Sequence, residues 1–214
     1  MSDQDKAIKE LIERTRKELE EAKKPHATSR SWKSPQGYKF LFPWSNAVLL
    51  RILIRKLTET LPRSEYRSKA QVDDATRSVV ANIEEGYKRS TTGEYIRFLG
   101  FSQGSLEEVK GDIERLMQDG FLKSVPESKL TDFGIDLKLW NLWARNPLNS
   151  SRILYFPLKF SKGIYRNLKD IKGDNLTYEV FMELINKTDW LLRRLVRSLE
   201  QKQDDLKLCL AGLK

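Results

Sequence analysis

Four carboxylates, Asp73, Asp74, Glu84 and Glu85, lie close together in the sequence. Paired carboxylates can hold Mg²⁺ for phosphoryl transfer, so the pattern raises the question of a nuclease. On a helix, residues 73 and 84 share a face but lie about 16 Å apart, whereas two catalytic metals need a separation of about 4 Å. No further carboxylate at i+3 or i+4 completes either pair. We therefore expect no catalytic residues, no metal, no cofactor and no enzymatic activity.

A basic and aromatic segment is the second candidate. Residues 123–176 hold ten basic and five acidic residues, a net charge of +5 out of +9 for the whole chain. Cations neutralise phosphates and aromatic rings stack on unpaired bases, so the segment favours nucleic-acid binding. The alternative is that Trp140, Trp143, Tyr155, Phe156 and Phe160 pack on the helices, with the lysines only solvated. The predicted phosphate contacts in this segment are Arg145, Arg152, Lys159, Lys162, Arg166, Lys169 and Lys172.

Two smaller basic groups have weaker patterns. Lys88 and Arg89 stand at a turn between two predicted helices, where they are candidates for a phosphate-contacting rim in an oligomer. Residues 30–39 combine Arg30, Trp32 and Lys33 with Tyr38 and Lys39. In both groups the alternative is an ordinary structural or solvated role.

The elements that must position these residues are helices. Apolar residues recur at spacings of three and four over 3–23, 44–61, 65–88, about 94–119 and 177–206, and a further helical face is expected over 130–143. Thr91 with Glu94 predicts a capping box, and Gly120 a helix stop. No convincing hairpin pattern occurs. We predict an all-α protein: an antiparallel up-down four-helix bundle with an extra N-terminal helix and a helical or irregular insertion before the last helix.

The predicted organisation follows from these patterns. Residues 1–43 are an N-terminal helix and linker, 44–122 the first three helices of the bundle, 123–176 the insertion, 177–206 the fourth helix and 207–214 a tail. The stretch 44–61 is apolar over more than the three-in-seven positions that a bundle helix needs. Its surplus forms an oligomer interface or is covered within one protomer by 3–23 and 130–145.

Composition narrows the class of protein. The net charge is +9 and the sequence pI about 9.5, which favours a polyanionic partner. A mean hydropathy of −0.57 and short apolar runs argue against a membrane protein. A single cysteine, Cys209, and a single histidine, His26, allow neither an intramolecular disulfide nor a thiolate metal site. The polar first residues lack a signal region, so we expect a cytoplasmic protein.

Residues 71–86, which begin Gln-Val-Asp-Asp-Ala and end Asn-Ile-Glu-Glu-Gly, resemble the signature of the four helix bundle proteins encoded by intervening sequences of bacterial ribosomal-RNA genes. Accessory variability proteins of diversity-generating retroelements look like relatives of that family. The resemblance covers 44–122 and, more loosely, 177–201. It implies four-helix protomers that assemble into a ring of five, bind nucleic acid without enzymatic activity and, in the retroelement branch, bind a reverse transcriptase. The matching motif positions include Gln71, Ser78, Asn82, Glu85, Gly86, Gly104, Ser105 and Glu108.

Local roles are expected for several motif residues. Small side chains at Ser78, Gly104 and Ser105 suit close helix approaches, Asn82 suits a hydrogen bond at a helix contact, and Glu85 is in position to pair with Arg89; contacts to a partner are the alternative for Asn82 and Glu85. Asp73, Asp74 and Glu84 depart from the family, which commonly has a basic pair and an alanine there. These departures weaken any transfer of RNA binding onto residues 71–86. We predict a nucleic-acid-binding homo-oligomer, RNA favoured over DNA. The alternative is a protein–protein adaptor for a nucleic-acid enzyme such as a reverse transcriptase.

Overall fold

The fold is described from a computed structural model. The structure describes residues 34–144 and 168–210, together with the single residue Glu13. Apart from Glu13, the predicted helix over 3–23 and the first half of the linker, up to residue 33, therefore lie outside the described residues. Within the described part all regular elements are helical, which confirms the all-α class. Five α-helices lie in the described ranges: α1 (Phe42–Thr60), α2 (Tyr66–Lys88), α3 (Thr92–Gln118), α4 (Leu137–Ala144) and α5 (Tyr178–Leu210).

Helix α1 is the centre of the core. Its apolar surplus is buried, with Leu49, Leu50, Leu53 and Ile54 fully inaccessible to solvent. The helix packs against α2, α4 and α5, and against the short 3-10 turn Gly173–Asn175. These four residues are thus covered within one protomer, which was one of the two predicted alternatives, while the partly buried Ile52 and the predicted cover by 3–23 leave the other alternative open.

Local signals set the turn between α2 and α3. The Thr91 hydroxyl accepts a hydrogen bond from the backbone N–H of Glu94 across 3.2 Å, which satisfies one free donor at the start of α3. At the other end of α3, Gly120 has a φ of +81°, and the N–H groups of Phe121 and Leu122 bond back to Leu116. The predicted N-cap at Thr91 and the predicted stop at Gly120 are confirmed, whereas the return bond of a capping box, from the Thr91 N–H to Glu94, stays a prediction.

The segment after α3 differs from the prediction. The helical face expected over 130–143 is divided into a 3-10 turn, Leu130–Phe133, and helix α4. Gly134, at a φ of +69° in the left-handed region, ends the turn, and Asp136 accepts hydrogen bonds from the N–H groups of Lys138 and Leu139 at the start of α4. A single helix cannot pass through a left-handed residue, so the chain changes direction here.

Helix α5 completes the core. It begins at Tyr178, directly after buried Thr177, and extends to Leu210, four residues past its expected end at 206. Its apolar stripe packs against α3 and α1, with Val180, Phe181, Leu184 and Leu192 fully buried. No helix in the described ranges is both long and apolar enough to cross a lipid bilayer.

Candidate nucleic-acid interface

Two of the polar motif residues, Gln71 and Glu85, have their partners within the protein. The Gln71 amide donates to Asp112 Oδ1 across 3.0 Å and so links α2 to α3. Glu85 pairs with Arg89 one helical turn later, as predicted for a local role. Glu108 is exposed on α3. Nothing in these contacts requires a partner molecule.

The two motif glycines, Gly86 and Gly104, differ in the space around them. A Cβ built on Gly86 would lie 2.7 Å from Phe98 Cβ and 2.9 Å from Tyr95 Cδ2, so α2 and α3 touch there. A Cβ on Gly104 would meet nothing within 4 Å, and the residue is exposed, so the close approach predicted at Gly104 is wrong. The buried small residue on α3 is Ser102, whose hydroxyl donates to the Val79 carbonyl across 2.9 Å. Ser78, Asn82 and Ser105 are partly buried.

The carboxylates that raised the nuclease hypothesis have separate partners. Asp73 accepts weak hydrogen bonds from the Thr58 hydroxyl at 3.4 Å, and Glu84 accepts one from the Trp44 indole at 2.9 Å. Asp74 pairs with Arg77 across 3.2 Å, and Glu85 with Arg89. In the described ranges no three His, Cys, Asp or Glu side chains are grouped to hold a metal ion. These contacts account for the four carboxylates as structural groups.

A cluster of arginines beside Asp73 was missed in the sequence. Arg51 and Arg55 lie one turn apart on α1; Arg55, Arg77 and Asp73 act electrostatically on Arg51, and Arg55 acts on Asp73. Burial lowers the pKa of Arg51, and the neighbouring Arg55 and Arg77 lower it further. Burial also raises the pKa of Asp73, against the opposing effect of Arg55. The acidic pair on α2 is therefore offset by cations, and this face carries no strong net charge of either sign.

The described basic residues of the predicted interface lie at two ends of the molecule. The Lys88 ammonium is 5.5 Å from the centroid of Tyr38, just before the start of α1, and the Arg89 guanidinium is 4.4 Å from the ring of Phe98. Lys169 and Lys172 are exposed near the other end of α1, where Gly173 packs against Lys56 and Thr60. Along the 19 residues of α1 these ends are about 27 Å apart. The two groups do not form one patch.

The remaining predicted phosphate contacts lie outside the described residues: Arg145, Arg152, Lys159, Lys162 and Arg166. Tyr155, Phe156 and Phe160 lie there too. Trp140 is described and is 2% exposed, so it belongs to the core rather than to an outward binding surface. In the linker, Tyr38 is likewise buried, packed edge-on against Trp44.

An open cleft of about 400 Å³ lies between α1, α4 and α5, and no sequence pattern indicated it. Its sides are Leu137 and Leu191, with Trp190 at the rim. Trp190 is 57% exposed and carries the Arg194 guanidinium 5.3 Å from its ring centroid. The polar groups that line the cleft are three amides and two ammonium groups: Asn46, Asn141, Asn186, Lys138 and Lys187.

The amides of the cleft differ in their hydrogen bonding. Asn141 Oδ1 accepts from the Ser45 hydroxyl, which leaves its NH₂ group as a donor. Asn46 is 1% exposed, and its Oδ1 accepts no hydrogen bond within the described residues. Lys187 pairs with Glu183. The cleft thus offers a donor, an aromatic face and positive charge, the groups from which base and phosphate contacts are built, and the unsatisfied Asn46 oxygen lies buried beside it.

These observations define an all-α protein whose described part is nearly neutral, with most of the basic excess of the chain in residues outside the described ranges. The family model of the 23S rRNA-intervening sequence proteins matches residues 40–132, from just before α1 to the 3-10 turn after α3. The predicted family resemblance is thereby confirmed over these residues. The looser resemblance over 177–201 and the relation to retroelement proteins stay predictions. Searches of curated proteins and of solved structures gave no match.

Proposed function

We propose that this protein is a non-enzymatic RNA-binding protein that acts as a homo-oligomer. The observation that carries the proposal is the match of residues 40–132 to a family named for intervening sequences of 23S rRNA. The charge distribution supports it. Residues 34–144 and 168–210 together hold 24 basic and 23 acidic residues, whereas 145–167 hold five basic residues and no acidic one. Phosphate contacts are therefore assigned mainly to 145–167.

We infer that α1, α2, α3 and α5 form an antiparallel up-and-down bundle. The cross-helix contacts support this arrangement, because they pair early residues of one helix with late residues of the next. Thus Trp44 on α1 bonds to Glu84 on α2, whereas Thr58 bonds to Asp73. Between α2 and α3, the bond from Gln71 to Asp112 likewise joins an early residue to a late one, and the bond from Ser102 to Val79 joins two residues nearer the middle of each helix. For α3 and α5, Gln103 contacts Asp189 and Val125, past the end of α3, contacts Glu179.

Self-association needs a surface other than the buried face of α1. The outer face of α3 is a candidate, because Phe101 is 47% exposed and the neighbouring Gly100 and Gly104 have open space above them. A second copy would bury this apolar face. Light scattering of the full chain is expected to give a multiple of the 25.0 kDa protomer mass, reduced by Phe101→Arg. A monomer at all concentrations would refute the oligomer.

Salt dependence tests the RNA-binding proposal. The full chain is titrated with structured RNA at several salt concentrations and compared with a variant in which Lys159, Lys162, Arg166 and Lys169 are glutamine. Each lost phosphate contact is expected to reduce the slope of log K against log salt by about 0.7 to 0.9. A matched control neutralises four exposed cations elsewhere, Arg63, Lys123, Arg197 and Lys202.

Two results would contradict the proposal. One is the absence of binding at low salt, and the other is an equal loss of affinity in both four-residue variants. A protein complex that survives nuclease treatment, in a chain that does not bind RNA, would instead favour the adaptor function.

A further inference from the structure

The cleft between α1, α4 and α5 contains a polar group that the helix packing does not use. Asn46 is almost completely buried, yet its Oδ1 accepts no hydrogen bond from the described residues. A buried acceptor without a donor destabilises the fold, whereas an apolar residue of similar size would not. Asn46 also lines the cleft, although its Oδ1 is shielded from solvent, so a turn of the side-chain amide would bring this oxygen to a donor on a molecule inside the cleft.

A donor stands beside this acceptor. Asn141 lines the same cleft, and its Oδ1 is already bonded to the hydroxyl of Ser45, the residue next to Asn46. The NH₂ group of Asn141 is then the part left to donate. An adjacent donor and acceptor match the Watson–Crick edge of a nucleobase, because every base presents both kinds of group along that edge.

An aromatic surface lies at the rim. Trp190 is 57% exposed, and because a planar ring has two faces, Arg194 covers at most one of them. A base can stack on the other face, and such stacking is tolerant of sequence. The volume of about 400 Å³ lies within the range of small-ligand pockets.

Positive charge is in place for the phosphate next to such a base. Lys138 and Lys187 line the cleft, Lys187 while also paired with Glu183. We propose that this cleft holds one unstacked base of a bound RNA, with Asn46 and Asn141 on the base edge and Trp190 against its face. The inference rests on the proposed RNA binding and assigns it a base-binding site.

Abasic RNA separates base contacts from phosphate contacts. The full chain is titrated, by fluorescence anisotropy at constant low salt, with a labelled single-stranded 12-mer and with a 12-mer of abasic residues carrying the same phosphates. We expect the strand with bases to bind about tenfold more tightly or better. Trp190→Ala is expected to remove this preference, Trp190→Phe to retain most of it, and Asn46→Leu to reduce it.

Controls distinguish this site from general effects. Tyr66→Ala removes an equally exposed aromatic residue on α2, where Tyr66 is 62% exposed, and is expected to leave the preference unchanged. Asn46→Leu is expected to unfold at a temperature no lower than that of the original chain, because it removes an unsatisfied buried oxygen. A lower temperature would mean that Asn46 supports the fold, which would contradict a binding role.

The outcomes also separate this inference from the proposed function. If RNA binds but strands with and without bases bind equally, the base site is refuted while RNA binding stands. The same holds if Trp190→Ala behaves like Tyr66→Ala, or if it changes the native mass rather than the preference for bases. If neither strand binds at low salt, the proposed function fails and the base site with it.

Discussion

The indole N–H of Trp140 donates a hydrogen bond to the main-chain oxygen of Ser45 across 2.9 Å, joining residues 95 positions apart in the chain. Both residues are buried. A carbonyl oxygen has two lone pairs, so Ser45 can accept this bond and keep its helical one. The contact holds α4 against the first turns of α1 and so sets one wall of the cleft.

Replacing Trp140 by phenylalanine should destabilise the protein. The change removes the bond to Ser45 and part of a fully packed ring, and we expect the free energy of unfolding to fall by about 1–3 kcal/mol. Urea unfolding followed by circular dichroism measures it. The matched control is Trp190→Phe, which alters a ring that is 57% exposed and is expected to change the free energy by less than about 0.5 kcal/mol. Equal effects would mean that Trp140 does not anchor α4.

Alanine substitutions at two glycines should have opposite signs. At Gly86 the new Cβ would overlap Phe98 and Tyr95, so we expect a loss of about 1–3 kcal/mol despite the higher helix propensity of alanine. At Gly104 the space is open, and we expect a gain of about 0.5–1 kcal/mol. Thermal or urea unfolding of both variants is the measurement. A gain at Gly86 would show that α2 and α3 do not approach closely there.

Glu179 predicts a pH-dependent contribution to stability. Burial alone would raise its pKa, but hydrogen bonds from the Ser124 hydroxyl and the Val125 N–H outweigh it, and the pKa is lowered. The stabilisation is therefore present above the ordinary carboxyl pKa and is lost as the pH falls through the lowered value. Glu179→Gln should cost about 0.5–1.5 kcal/mol at pH 7, with little difference in strong acid. A cost independent of pH, seen in unfolding at several pH values, would contradict this.

Asp73 should show the opposite dependence. Burial raises its pKa, so the neutral form is favoured in the folded state, and its contribution is lost as the pH rises through the raised value. Asp73→Asn is expected to be at least as stable as the original chain at pH 7, with the advantage shrinking in acid. Asp74→Asn is the control, because Asp74 is exposed and its pair with Arg77 should contribute less than about 1 kcal/mol. A marked loss for Asp73→Asn at pH 7 would refute the assignment.

The helices and their ends were predictable, because the signals for them are local. Apolar spacing located α1, α2, α3 and α5, and Thr91 and Gly120 marked ends that the structure confirms. Pairing of Glu85 with Arg89 follows from one-turn spacing and was predicted for the same reason. Errors arose where periodicity continued across a break, as at Gly134, which divides the expected helical face over 130–143.

The cleft had no signal along the chain, because its walls come from three helices distant in sequence. From the sequence, Asn46 is an ordinary polar residue in an apolar helix. That its side-chain oxygen lacks a hydrogen-bond donor is apparent only once α4 and α5 are packed beside it. The burial of Trp140 likewise depends on a partner 95 residues away, so the sequence left its packing on the helices as one of two alternatives. Periodicity and caps act within a few residues, whereas burial and the supply of hydrogen-bond partners depend on which distant faces meet.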